Sequence, residues 1–171
     1  MTDVGGPDGP LPDRGRLLEE LTRISLRSEP LSAVLRRVAL LACDTVPGAV
    51  AASVTLVEGR RVRSMGVTDR RAAALDERQY DRGFGPCLEA AVTGEPVLVE
   101  DTAEEPVYPE FAAVARRLGI GRVLSVGMPV DHRVVGSLNL YGGAGRWGAG
   151  DVAVARDPTL IICLVRDFHL R

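Results

Sequence analysis

The sequence has 171 residues, 46% of them hydrophobic and 26% charged, enough for one domain with a full apolar core. A formal net charge of −2 supplies no electrostatic footprint for nucleic acid. Every cationic side chain other than histidine is Arg, which removes Schiff-base chemistry and a P-loop lysine. No run approaches the roughly 18 apolar residues of a membrane-spanning helix, and no signal peptide opens the chain. Cys43, Cys87 and Cys163 are an odd number without metal-ligand spacing, so a reduced cytoplasmic protein is the simplest reading.

Residues 1–13 are rich in Gly, Pro and Asp and read as a disordered leader. Leu17, Leu18, Leu21 and Ile24 then fall at helical spacing and predict a short first helix. A stronger stripe follows. Leu31, Val34, Leu35, Val38, Ala39 and Ala42 trace one apolar face, with Pro30 in the first turn and Val46-Pro47-Gly48 as the stop. Cys43 lies beside that stripe and reads as a small buried thiol. Ala49 to Val57 predicts a buried strand, and Arg61 to Val67 a more exposed one returning after the turn at Glu58-Gly59. Thr68-Asp69 offers an N-cap for a helix from Arg70 to about Gln79.

The next stretch, Gly83 to Asp101, reads GFGPCLEAAVTGEPVLVED. Gly83 and Gly85 allow a tight turn, Pro86 suits the first helical position, and Gly94 suits the residue just past the helix end. Pro96 to Val99 then predicts a short buried strand. Phe111, Val114, Ala115 and Leu118 place a helix between Pro109 and Gly119. Arg122 to Val130 and Val134 to Tyr141 predict two strands around Asp131-His132-Arg133. This order of helices and hairpins predicts an α+β domain, an antiparallel sheet of five to six strands flanked by helices. Asp151 is placed to cap a last helix, which Asp157-Pro158 would interrupt, and residues 159–165 are more strand-like than helical.

GPCLEA followed by TGEPVLVED, and the later SVGMPVDHRVVGSLNLY, resemble the GAF domains, a PAS-related family, from about Leu31 to Asp151. They look most similar to those of actinobacterial signalling proteins of the GAF/ANTAR type. The resemblance implies one GAF domain over 14–171, with an atypical tail at 158–171 and no output domain. It puts a ligand pocket between the central sheet and the segments 81–94 and 101–118. The implied lining is Phe84, Cys87, Leu88, Tyr108, Phe111, Leu124, Val126, Met128 and Asn139. The ligand would be a modest apolar or aromatic small molecule of unknown identity. The resemblance further implies a homodimer through the terminal helices, with any signal passing to a partner output protein. A first helix that only covers its own sheet is the alternative.

Cys87 is the candidate thiol, and a plain structural thiol, a redox-sensing one and a catalytic one are the three readings of it. A place in the first turn of a helix would lower its pKa and expose it. The free methionine-R-sulfoxide reductases, a GAF family, look similar here, and the resemblance makes Cys87 the attacking thiol. Their further cysteines would fall at about 53–69, where this sequence has none. Asn139, Trp147 and Asp151 keep part of a cyclic-nucleotide signature, with Leu140 and Val152 where that pattern has Lys and Glu. Haem-binding GAF domains offer a His from a segment that here, at 108–130, has none, and a bilin-binding Cys is missing after it. No metal or cofactor is expected. Three readings stand: a non-catalytic regulatory sensor, a Cys87-dependent redox sensor or sulfoxide reductase, and a ligand-free dimerisation scaffold or truncated relic.

Overall fold

The computed structural model describes residues 29–130 and 133–157. The leader, the helix expected at 17–24, Asp131, His132, and the tail from Pro158 with Cys163 and His169 lie outside the described residues. Helix α1 (Leu31–Thr45) buries Val34, Leu35, Val38, Ala39 and Ala42, the stripe read from its sequence. Pro30 stands just before the helix, as its N-cap, in extended backbone. Cys43 is only half-buried, because the residue beside a helical stripe stands at the rim of the packed face.

Strands β1 (Ala49–Glu58) and β2 (Arg61–Met65) form the first hairpin. Helix α2 (Arg70–Arg82) starts at Asp69, whose carboxylate accepts the Arg71 N–H at 2.8 Å. Helix α3 (Pro86–Thr93) and β3 (Val97–Val99) complete the glycine-rich stretch. Then come α4 (Pro109–Arg117), β4 (Arg122–Val130), β5 (Arg133–Gly142) and α5 (Ala149–Ala155). Asp151 lies three residues into α5's N-terminal turn, where its carboxylate accepts the Gly148 N–H at 2.8 Å; Gly148 is the N-cap. Among the described residues no helix is long and apolar enough to cross a membrane.

The five strands form one antiparallel sheet in the order β2-β1-β5-β4-β3. With the five helices of the described residues this is an α+β fold. Side chains alternate across a strand, so the sheet has two different buried faces. One face carries Ala52, Val54, Leu56, Leu124, Val126, Met128, Leu138 and Leu140, packed with the α1 stripe, Trp147 and Ala155. Each Val, Leu or Met among them contributes roughly 1.5–3 kcal/mol on leaving water. The other face has apolar Ala51, Val123 and Tyr141 against Ala72, Leu75, Phe111 and Ala115. Between them it carries Ser53, Thr55, Ser125, Ser137 and Asn139, all fully buried. Helix α3 rests directly on this face. A Cβ on Gly127 would stand 2.5 Å from the Ala90 carbonyl oxygen and 2.6 Å from Gly94 Cα.

Candidate functional site

The turn from α2 into α3 needs glycine once for its angles: Gly83 closes α2 in the left-handed region, at φ 65°. The N-cap of α3 is Gly85, which has no side chain to satisfy the orphan donors of the first turn. Gln79 of α2 takes over. Its Oε1 accepts the Cys87 N–H at 2.9 Å while its Nε2 donates to the Leu75 carbonyl at 3.2 Å. Cys87 thus occupies the first helical turn, yet it is fully buried. Burial, and then the negative charge of Asp76, push its thiol pKa well up. Desolvation outweighs the helix dipole here, which fits the structural reading of Cys87 and not the exposed, activated thiol.

Above Cys87 lies a layer of buried polar side chains. Asp76 of α2 has no exposure; it accepts the Ser64 hydroxyl at 2.6 Å and the Tyr141 hydroxyl at 2.5 Å. Burial raises its carboxyl pKa to about 6, and hydrogen bonds from the Ser64, Tyr141 and Ser53 hydroxyls hold it back from rising further. Tyr80 lies 2.9 Å from Ser64 Oγ and 2.8 Å from Thr55 Oγ1. Asn139 donates from Nδ2 to Ser53 and Thr55, at 3.1 and 2.9 Å. The Ser137 hydroxyl stands 2.9 Å from the Cys87 carbonyl oxygen and 3.0 Å from Asn139 Oδ1. Ser125 Oγ, on the strand beside Asn139, is buried without a partner.

A surface cleft of about 310 Å³ opens between α2 and α4, lined by Arg78, Arg82, Phe84, Val107, Tyr108, Pro109, Glu110 and Phe111. Phe84 and Tyr108 rings meet at 5.0 Å, tilted by 43°. Tyr108 also donates its hydroxyl to Glu89 of α3. Phe84 is 54% exposed and Val107 56%. Arg82 and Arg78 both reach the Glu110 carboxylate, at 3.0 and 3.5 Å.

Of the residues singled out from sequence, Phe84, Tyr108 and Phe111 line this cleft, and Cys87 and Asn139 join the buried polar layer. Leu88 is half-buried on α3. Leu124, Val126 and Met128 do not share the site: the two-residue period of β4 points them at α1, into the opposite core. Asp76, Gln79, Arg78 and Arg82 were not anticipated. A signal existed, since Ala72, Leu75, Asp76 and Gln79 fall at i, i+3, i+4 and i+7, putting two polar residues on the buried stripe of α2.

The sheet order, the helix crossing it at Gly127 and the buried polar face can be set beside known proteins. A family model described as GAF domain matches residues 28–156, most of the chain. The chain belongs to the GAF family. No curated relative matches the sequence. Among solved structures, it is similar to the GAF domain of a phosphoenolpyruvate-protein phosphotransferase from Coxiella burnetii, at 19% identity and TM-score 0.63, covering 91% of this chain and 92% of that one. It is also similar to fRMsr of Staphylococcus aureus in its reduced form, at 13% identity and TM-score 0.67, over 98% of this chain and 99% of that one. A free methionine-R-sulfoxide reductase from Neisseria meningitidis, solved with its substrate, gives 17% identity and TM-score 0.63, over 90% and 86%. At these identities the likeness is one of fold, a fold of signalling and sensor domains that enzymes also use. Among the described residues no group of three His, Cys, Asp or Glu could hold a metal ion.

Proposed function

We propose that this GAF domain is a regulatory, non-catalytic sensor of a small molecule in signal transduction, of the kind found in actinobacterial GAF/ANTAR-type proteins. The observation that carries the reading is the cleft at Phe84, Tyr108 and Phe111, whose aromatic walls suit a modest apolar or aromatic ligand. A ligand seated there would touch α2 and α4 together and, through the Tyr108–Glu89 hydrogen bond, α3. Binding would then shift the balance between two arrangements of these helices, and a homodimer through the terminal helices would pass that shift to a partner output protein.

The test is native mass spectrometry of freshly purified protein against its denatured mass, for wild type and Phe84→Ala. Excess mass lost on denaturation and reduced in Phe84→Ala supports the sensor. A bare chain in both favours a ligand-free scaffold. The thiol reading rests on the place of Cys87 in the first turn of α3. It requires turnover of free methionine sulfoxide that Cys87→Ser abolishes, and the buried, up-shifted thiol argues against it.

A further inference from the structure

Arg122 opens β4 on the face of the sheet turned toward α1 and α5, away from the cleft. It is only 7% exposed. Its guanidinium carbon lies 4.7 Å from the centroid of the Trp147 ring, and the indole is itself fixed by donating to the Pro47 carbonyl at 3.0 Å. Among the described residues no carboxylate pairs with Arg122, and its buried Nε has no acceptor. Three glycines wall the group. A Cβ on Gly48 would stand 1.9 Å from Nη2, one on Gly142 2.5 Å from Nε, and one on Gly145 3.2 Å from Nη1. The walls come from three places in the chain: the turn after α1, the end of β5 and the loop before α5.

Burying part of a guanidinium without a counter-charge is unfavourable, and here Nε is both buried and without an acceptor. Stacking on an indole returns only a small part of that cost. Arginine ion pairs such as Arg63 with Glu58 or Arg82 with Glu110 are made by far more exposed side chains. Arg122 is the one buried arginine of the described residues, and no acid pairs with it. A planar fork of donors held rigid against a ring is the arrangement that takes two oxygens of one anion.

We propose that Arg122, between these glycine backbones, binds an oxyanion, the carboxylate or phosphate group of a small molecule. Arg122 supplies the charge and the fork, and Trp147 holds the fork in place. The site is independent of the cleft, and it stands or falls separately from the sensor reading.

Trp147 is the only tryptophan in the chain, so fluorescence excited at the red edge, where tyrosine does not absorb, reports on the surroundings of Arg122. Titrating the full chain with inorganic phosphate and, separately, with acetate, at ionic strength held constant by chloride, should give a saturable change with at least one of them. Phosphate alone responding assigns a phosphate group, acetate alone a carboxylate. The change should vanish in Arg122→Met with its circular dichroism intact. Should that variant not fold, Arg122→Lys keeps the charge but not the fork and should weaken binding at least tenfold. No saturable change with either anion, the same change in Arg122→Met, or undiminished affinity in Arg122→Lys would overturn the proposal.

Discussion

The Tyr141 hydroxyl donates to Asp76 Oδ1 at 2.5 Å, joining the central strand to α2 where neither side chain is exposed to solvent. The same carboxylate holds Ser64 of the edge hairpin. One acid therefore ties three elements together, and its proton balance becomes a property of the fold.

Asp76 should make stability fall as pH rises. Its folded pKa is raised to about 6 from a reference of 3.8, so between those values the folded state keeps a proton that the unfolded chain has lost. The extra stability is present below about pH 4 and gone above about pH 6. A shift of this size corresponds to roughly 3 kcal/mol. Urea denaturation from pH 3 to 7, wild type minus Asp76→Asn, should show this decline, and a flat difference would refute it.

Removing Gln79 should uncap α3 from a distance. Gln79→Ala leaves the Cys87 N–H buried with no acceptor. The expected loss is roughly 1–3 kcal/mol, the cost of a missing cap in a dry site. Chemical denaturation gives the number directly; a loss within a few tenths of zero would mean the N–H finds another partner.

Gly127→Ala should push α3 off the sheet. The added methyl would lie 2.5 Å from the Ala90 carbonyl oxygen, a backbone atom with no rotamer to give way. A loss of about 1–3 kcal/mol is expected, as for other overpacked cores. Hydrogen exchange of the α3 amides should quicken with it, and unchanged exchange would show that the strand yields instead.

Cys87 should be inert in the folded protein. Its thiol is buried and its pKa pushed up, so the reactive thiolate is scarce and out of reach. A brief maleimide pulse with peptide mapping should leave the Cys87 peptide unmodified in buffer and label it in urea. Rapid labelling of the native protein would restore the redox reading.

The sequence made α1 legible because its apolar stripe meets one partner, the sheet, and needs no knowledge of anything else. The hairpins, the Pro86 start and the Gly94 stop were legible for the same reason: local backbone rules decide them. The site was not. Ser53 and Thr55 on β1, and Ser137 and Asn139 on β5, alternate with apolar residues in the period that marks a face turned to water. Here the face is covered by α2 and α3, and its polar groups satisfy one another. Periodicity reports that two faces differ; it does not say what lies over each. Parity also decides why Leu124, Val126 and Met128 left the predicted lining. Arg122 was unreadable because a charged residue opening a strand is ordinarily exposed, and the glycines around it come from distant turns.

The sheet order carries one more consequence, for how the molecule is made. β5, the middle strand, is the last of the five along the chain. As a ribosome releases the protein, β1 can pair only with β2, while its other edge waits. Ser53 meets the Asn139 amide across 86 residues of chain. Until β5 emerges, the second edge of β1 stays unpaired, and the Ser53 and Thr55 hydroxyls lack the Asn139 amide they will meet. Such late, non-local closure is slow. Exposed strand edges of this kind favour aggregation and the attention of chaperones. The interval between release of β2 and release of β5 is therefore when this chain is most vulnerable in the cell.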